Sequence, residues 1–372
     1  MPETVAGDLL KYDKLKKTIA DEIRFMQPNS RLPSRHSLCM KYKLSRATVD
    51  KALTELIAEG ALYSVQGSGT FVANCHSNGT GVISWGVVVP NIMDDICPVF
   101  LRGIEDFAQK LSINIVICNT DNDPEKETEY LQRLADSGVR GIIIIPTIIP
   151  SGNHMIYKQL EHRNISYVFC NRSIDGMEHV PFVASNDFYG GYCATKHLIE
   201  MGYRKIGFVS RYHYRTSMNR FYGYTAALLE AGIDIDRAIV AAELPDFQNR
   251  GVKSFLERVL ALPSPPDAFF CHNDDVAVSL YRELRESGKS ISGDIGVIGY
   301  DNTSICETLE PKLTSMAFRN YEMGAKAADI LYDLTLGRKF NGFHMFVYQP
   351  ELVKRGSCLG PSSVSNCVPA AE

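Results

Sequence analysis

Residues 31–72 read RLPSRHSLCMKYKLSRATVDKALTELIAEGALYSVQGSGTFV, and their spacing decides the fold of the amino-terminal end. Pro28 and Pro33 bracket a loop, and Ser34 is placed to cap a helix that runs to about Tyr42. Ser45 is placed to cap the next helix, whose apolar stripe is Val49, Ala52, Leu53, Leu56 and Ile57. Gly60 ends that helix. Two short strand-like runs follow, Leu62–Val65 and Thr70–Ala73. Between them Gln66-Gly67-Ser68-Gly69 is a hairpin signal. Upstream, Leu15, Ile19, Ile23 and Met26 share one face of a helix near Tyr12–Met26.

From Val82 the rhythm changes. Apolar, β-branched runs (Ile83–Val89, Ile113–Ile117, Ile142–Ile145, Tyr167–Phe169, Ile206–Val209, Ala268–Cys271 and Ile295–Ile298) alternate with helical patterns. The helical patterns are Val99–Leu111, Glu125–Ala135, Gly190–Met201, Arg220–Ala231, Val276–Glu286 and Met323–Leu336. That alternation predicts βαβ units, and the nearly all-apolar strands predict parallel sheets covered on both faces. About 275 residues are long for one sheet, so the expectation is an α/β core of two subdomains, each a doubly wound parallel sheet. The predicted order is residues 1–73, a polar linker at 74–81 (NCHSNGTG), a core at 82–357 and a disordered tail at 358–372. Ligands in such cores sit beyond the carboxyl ends of the strands.

The chain has 372 residues and a formal net charge of −4. Residues 1–75 carry +3 and the remainder −7, so the basic end is the one suited to an anionic partner. The longest apolar run, Gly141 to Pro150, is far short of the roughly 20 residues that span a bilayer. The first residues lack a signal peptide's apolar stretch. The ten cysteines are scattered with no CxxC. The expectation is a cytoplasmic chain with reduced thiols, bound to no membrane and needing no cofactor or metal.

Three helices and a hairpin have the order of a winged helix-turn-helix. Arg31-Leu32-Pro33-Ser34, Leu38, Tyr42, Leu44 to Val49, Ala52-Leu53, Leu56, Glu59-Gly60 and Gln66 to Val72 together resemble the GntR-type DNA-binding domain. A recognition helix places its first residues in the major groove. Ser45 can meet phosphate through the free amides of the helix start, Arg46 can fork onto guanine and Lys51 can reach a phosphate. Thr48 lies in the same first turn. At the hairpin tip Gln66, Gly67, Ser68 and Gly69 can approach the minor groove. Two positions depart from the family's pattern. Where the family often reads Glu-Arg-Glu, this chain has Arg35-His36-Ser37, so either Arg35 or His36 can supply the family's arginine contact. A frequent family arginine after Thr-Val falls on Asp50, so base preference does not transfer.

Residues 82–355 resemble the LacI/GalR-type regulator core, which is built like the periplasmic sugar-binding proteins. The resemblance rests on Trp85 to Pro90, Arg102-Gly103-Ile104-Glu105, Val139 to Ile144, Asn186-Asp187, His197 to Ile206, Arg220 with Gly223, Asn273-Asp274, Gly299-Tyr300-Asp301 and Leu313-Thr314-Ser315. A GntR-type head on such a core is similar to the arabinose-responsive repressor family. The resemblance implies a repressor, although an activator stays open. It also implies a homodimer on a pseudo-palindromic operator, and a neutral monosaccharide effector, L-arabinose first, with D-xylose, L-fucose or an oligosaccharide as alternatives. It marks Asn171, Arg172, Asp187, Arg220, His272, Asn273 and Asp301 as effector-binding, with Asp95 from the first loop and Phe247 or Phe318 as an apolar wall. Carboxylates, amides and an Arg fork suit hydroxyls that both donate and accept. Asp274 is expected to cap the helix that follows it, and Asp187 can also be a cap. No GxSxG, P-loop or HExxH occurs, so an enzyme is not expected.

Overall fold

A computed structural model describes residues 3–23, 26, 30–59, 61–65, 68–72, 83–147, 154–210, 215–241, 247–338 and 345–361, without the side chains of 3–11 and 247–250. Gly60, Gln66, Gly67, the linker at 74–81 and the Phe247 side chain therefore lie outside the described residues. The chain forms two compact units, Met1–Ile83 and Ser84–Glu372.

The first unit holds α1 (Glu3–Ile23), α2 (Arg35–Tyr42), α3 (Arg46–Ala58) and the antiparallel hairpin of β1 (Leu62–Val65) and β2 (Gly69–Val72). The first helix starts earlier than the apolar stripe suggests. The Met26 amide donates to the Ile23 carbonyl at 3.1 Å. Ser34 and Ser45 cap α2 and α3 by accepting from the amides of Ser37 and Thr48. Leu15, Ile19, Leu38, Val49, Leu53, Leu56, Leu62 and Val72 close one small core. The wing has a third, short edge: the Leu32 amide donates to Thr70 O and the Val72 amide to Ser30 O. The strand β2 begins at Gly69 rather than at Thr70, and this glycine sits at φ +125°, where a Cβ would lie 2.9 Å from Arg31 Nε.

The second unit has two lobes. In chain order, β3 (Ser84–Val89), α4 (Ile96–Gln109), β4 (Asn114–Asn119), α5 (Pro124–Asp136), β5 (Gly141–Ile144), α6 (His154–His162), β6 (Ser166–Cys170) and β7 (Phe182–Ser185) build most of the first. Then α7 (Asp187–Glu200), β8 (Ile206–Val209), α8 (Arg215–Glu230), α9 (Phe247–Leu260), β9 (Ala268–Cys271), α10 (Asp274–Glu286), β10 (Gly296–Asp301) and β11 (Thr314–Ala317) build the second. Finally α11 (Asn320–Thr335) and β12 (Met345–Tyr348) return to the first lobe, and β13 (Glu351–Val353) ends in the second. The sheets run β12-β7-β6-β5-β3-β4, all parallel, and β13-β11-β10-β9-β8, parallel except for β13. The described chain thus passes between the sheets at Asn186, at 318–319 and at 349–350. Two of these passages are tied together, the Asn186 amide donating to the Tyr348 carbonyl at 2.8 Å.

Adjacent strand residues serve opposite faces of the second sheet. Phe269 packs with Phe255, Leu280 and Val297, whereas Phe270 packs with Phe208, Tyr224 and Tyr300. This is why these strands read as unbroken apolar runs. The tail needs correcting at its start: Cys358 is buried, the Leu359 amide donates to Ser292 Oγ, and the Gly360 amide donates to Tyr203 Oη. Residues 362–372 lie outside the described set. The eight described cysteines are free.

Each lobe contains one helix crossing at backbone contact. In the first, α4 meets α11 with Gly103 against the Tyr321 carbonyl and Gly324 against the Phe100 carbonyl. In the second, α7 meets α8 with Gly191 against the Arg220 carbonyl and Gly223 against the Phe188 carbonyl. A methyl group at any of these positions would fall inside contact distance of backbone that cannot swing away. Overpacking of this kind costs roughly 1–3 kcal/mol. Gly223→Ala is therefore expected to lower the melting temperature by a few degrees, read by calorimetry; an unchanged transition would show that the crossing has slack.

Candidate DNA-binding face and effector cleft

The first turns of α2 and α3 meet through one acid. Arg35 Nε donates to Asp50 Oδ1 at 2.7 Å, and Arg46 Nε lies 3.7 Å from Asp50 Oδ2. The two departures from the family's pattern thus fall on one ion pair, with the acid and the base exchanged. Arg46 keeps a side chain 80% exposed, and His36 is exposed beside Arg35 in sequence. Ser45 Oγ and Thr48 Oγ1 lie 2.8 Å apart, so both hydroxyls serve the helix start. Lys51 lies towards α1, its ammonium 4.5 Å from the centre of the Tyr12 ring. Ser68 is exposed in the hairpin, its amide donating to the Val65 carbonyl.

In the core, the candidate effector residues of the second lobe come together around Arg220. Its guanidinium is buried. Nε donates to Asp187 Oδ1 at 2.8 Å, Nη1 donates to the His272 carbonyl, and Nη1 lies 3.4 Å from Asp301 Oδ1. The flat faces are used too: the Tyr300 ring centre is 3.6 Å from the guanidinium carbon and that of Phe318 is 5.2 Å away. Burial raises the Asp301 carboxyl well above its ordinary range, and Arg220 pulls against that shift. Burial likewise raises Asp187. Burial works against the Arg220 charge, but Asp187 and Asp301 more than reverse it and hold its pKa above the usual value. Asp301 Oδ1 accepts no hydrogen bond among the described residues.

The capping assignments need two corrections. Asn273, not Asp274, caps α10, its Oδ1 accepting from the Val276 amide at 3.0 Å. Asn186, not Asp187, caps α7, accepting from the Tyr189 amide at 3.0 Å. Asp187 is thereby left to Arg220. Asp274 is a buried brace: it accepts from the Thr303 amide and hydroxyl, from Ser315 Oγ at 2.7 Å and from Cys306 Sγ. The segment it holds follows Asp301 (φ 102°) and Asn302 (φ 50°), two non-glycine residues in the left-handed region. Strain of that kind persists where surrounding contacts enforce it. The hydroxyls at 303 and 315 are the sequence signal for this brace.

Three candidates come from the first lobe. Asn171, at φ 58°, has a buried Oδ1 with no hydrogen-bond partner among the described residues. Arg172 donates through Nη1 to Asn122 Oδ1 at 2.9 Å and to the Pro146 carbonyl at 3.2 Å. The sequence places Asp95 on the ligand, but its carboxylate accepts from the amide and hydroxyl of Ser304, at 2.7 and 2.5 Å, and so bridges the lobes. These Ser304 bonds hold the Asp95 carboxyl below its ordinary pKa. A cavity of about 590 Å³ adjoins Asn171, Arg172 and Asp187 and extends to α8 and β12.

Comparison with known proteins agrees with this architecture. Residues 11–72 match the gntR family of bacterial regulatory proteins, and residues 195–358 match the periplasmic binding protein-like domain. The arabinose metabolism transcriptional repressor of Geobacillus stearothermophilus is 30% identical over 356 residues, 94% of this chain and 98% of the relative. The crystal structure of the transcription regulator CcpA of Lactococcus lactis matches with a TM-score of 0.65 at 28% identity, over 74% of this chain and 99% of that one. A LacI family transcriptional regulator from Enterococcus faecium with bound ribose matches with a TM-score of 0.63 at 29% identity, over 75% and 99%. These relatives are transcription regulators, not enzymes.

Two outcomes follow from the geometry. Asp50→Ala frees two arginines from their shared acid, so affinity for duplex DNA is expected to rise several-fold at low salt. The slope of log affinity against log salt should steepen by about 0.9 for each additional phosphate that the freed arginines neutralise. Anisotropy titrations across a salt series check this, and unchanged or weaker binding would contradict it. The second outcome concerns Asp301. Its raised pKa means that the folded chain holds a proton that the unfolded chain releases above about pH 3.9. The site therefore loses stability as pH rises from there towards the shifted value. Asp301→Asn removes that dependence, so the variant's melting temperature should gain on wild type as pH rises from about 4. Parallel melting curves would contradict the assignment.

Proposed function

The chain belongs to the family of gntR-headed transcriptional repressors with a periplasmic binding protein-like core, and from that premise we propose that a neutral monosaccharide, L-arabinose first, binds its cleft and releases it from operator DNA. The observation that carries this reading is the Arg220 cluster. A buried guanidinium lies between Asp187 and Asp301, and Asp301 Oδ1 accepts no hydrogen bond among the described residues. A sugar hydroxyl can donate to that oxygen and accept from a cation at once. The same cluster disfavours a sugar phosphate, because two carboxylates surround its one arginine. Two relatives support a pentose: one is named for arabinose metabolism and another holds ribose.

Under this reading Asn171 and Arg172 approach the sugar from the first lobe, and Asp187, Arg220, His272, Asn273 and Asp301 from the second. Asp95 acts through Ser304 instead, three residues after Asp301, so that closing the lobes and gripping the sugar are one event. Ligand shifts such an equilibrium only by its differential affinity for the two forms. In the head, Arg46, Thr48 and Ser45 face the major groove, with His36 and the Arg35–Asp50 pair alongside. Lys51 and the hairpin tip around Ser68 and Gly69 serve the backbone and the minor groove. Two copies would read a pseudo-palindromic operator, one half-site each. The edge strand β4 supports a second copy as its cover: Val116 and Ile117 are exposed on it, and Ile92, Met93 and Val99 are exposed nearby. The cellular setting that fits is the cytoplasm, where operator and sugar are both met. Among the described residues no helix is long and apolar enough to cross a membrane.

The test is operator release. A duplex selected by the protein from a random pool is titrated with protein in the presence of L-arabinose, D-ribose, D-xylose, L-fucose, D-galactose or a sugar phosphate. One neutral sugar is expected to weaken DNA binding at least tenfold. Release by a phosphorylated sugar alone, or by none of these, would overturn the reading.

A further inference from the structure

The 590 Å³ cavity is larger than one pentose requires. A pentose has ten non-hydrogen atoms and takes at most about 300 Å³, even at the roughly 30 Å³ that each water occupies in the liquid. The cavity shares Asn171, Arg172 and Asp187 with the sugar site but is not lined by Arg220, His272 or Asp301, so it runs away from the buried cluster along the first sheet.

Its two sides differ in chemistry. The floor is sheet: Phe182 and Ala184 of β7 stand in register with Met345 and Val347 of β12 and share a face with them. Phe346 takes the opposite face, under Lys326. Met345 and Val347 remain 59% and 45% exposed, although they belong to an apolar sheet face. The other side, from α8, carries the Thr216 hydroxyl and the Asn219 amide. An apolar floor opposite hydroxyl and amide groups suits a sugar ring, whose C–H face and hydroxyl edges need these two surfaces. The cations at the rim are already engaged: Arg215 pairs with Asp175 at 2.8 Å, and Arg172 is bonded to Asn122 and Pro146. That arrangement favours a neutral group over a phosphate.

We propose that this cavity is a second subsite for a second neutral sugar ring, so that the protein also binds a disaccharide of its effector sugar. The proposal rests on the sugar reading above. The test is calorimetric titration of the full-length protein with L-arabinose, 1,5-linked arabinobiose and 4-nitrophenyl arabinoside. The expected result is that the disaccharide binds at least as tightly as the monosaccharide. Val347→Trp and, as a second exposed site, Met345→Trp should each weaken the disaccharide tenfold or more while changing the L-arabinose Kd less than twofold. Binding of the monosaccharide without the disaccharide would overturn the second subsite and leave the sugar reading standing. So would equal losses for both sugars in the two variants. Binding of the nitrophenyl glycoside but not the disaccharide would assign the cavity to an apolar group instead. If no sugar binds, the sugar reading fails and this proposal with it.

Discussion

The Arg220 guanidinium is the constraint on which the rest of the cleft depends. It is buried with two carboxylates and a backbone carbonyl, and an aromatic ring covers its face. Stripping one partner from a buried ion pair costs about 3–5 kcal/mol, because the survivor is left charged in a poorly polar setting. The cluster is therefore fixed in composition by energetics alone. It joins α7, through Asp187, to the ends of β9 and β10, through His272 and Asp301. Two carboxylates around one arginine leave spare acceptors and no spare cation, a balance that suits hydroxyl donors.

Much of the remaining fold serves to deliver this arginine and its acids. The α7–α8 crossing brings backbone to backbone at Gly191 and Gly223, and Gly191 lies against the carbonyl of Arg220 itself. Any side chain there would push the arginine out of register with Asp187. On the other side, Asp301 and Asn302 occupy left-handed backbone, and Asp274 holds the following turn with hydrogen bonds to Thr303, Ser315 and Cys306. The same turn presents Ser304 to Asp95 of the opposite lobe. The proposed ligand acceptor, strained backbone and contact between the lobes thus lie within four residues. A shift at Asp301 reaches Asp95 through a short, braced segment, which gives coupling between sugar and lobe closure a physical route.

What the sequence makes legible is local. Ser34 and Ser45 read as caps because a cap needs only its own side chain and an amide three residues on. The strands β8, β9 and β10 of the second lobe read as buried because both faces are covered and no polar residue interrupts them. The edge strands β12 and β13 carry no such mark: they are three or four residues long and half exposed, so neither an apolar run nor clean alternation picks them out. Helix α9 is hidden by Gly251, whose left-handed φ of 69° breaks the helical geometry partway along. At the site, a strand end points to Asp301 and the family resemblance to Arg220 and Asp187, but neither says which neighbour each engages. Adjacent Asn-Asp pairs at 186–187 and 273–274 look alike in sequence. Only the packing shows that the amide caps in both pairs, while one acid turns to an arginine and the other to hydroxyls. Asp95 is out of reach for a different reason, since its partner lies 209 residues away. In the head, two oddities that read separately, Arg35 and Asp50, prove to be one exchanged ion pair.

The central claim is that a neutral sugar is read by the Arg220 cluster and closes the lobes over it. The most direct measurement is a crystal structure of the protein grown with the responding sugar. The account predicts a hydroxyl within hydrogen-bond distance of Asp301 Oδ1, a second at Arg220 or Asn171, and the Asp95–Ser304 bridge intact. Sugar bound away from Arg220 and Asp301, or bound there with the lobes apart and Asp95 free of Ser304, would contradict it.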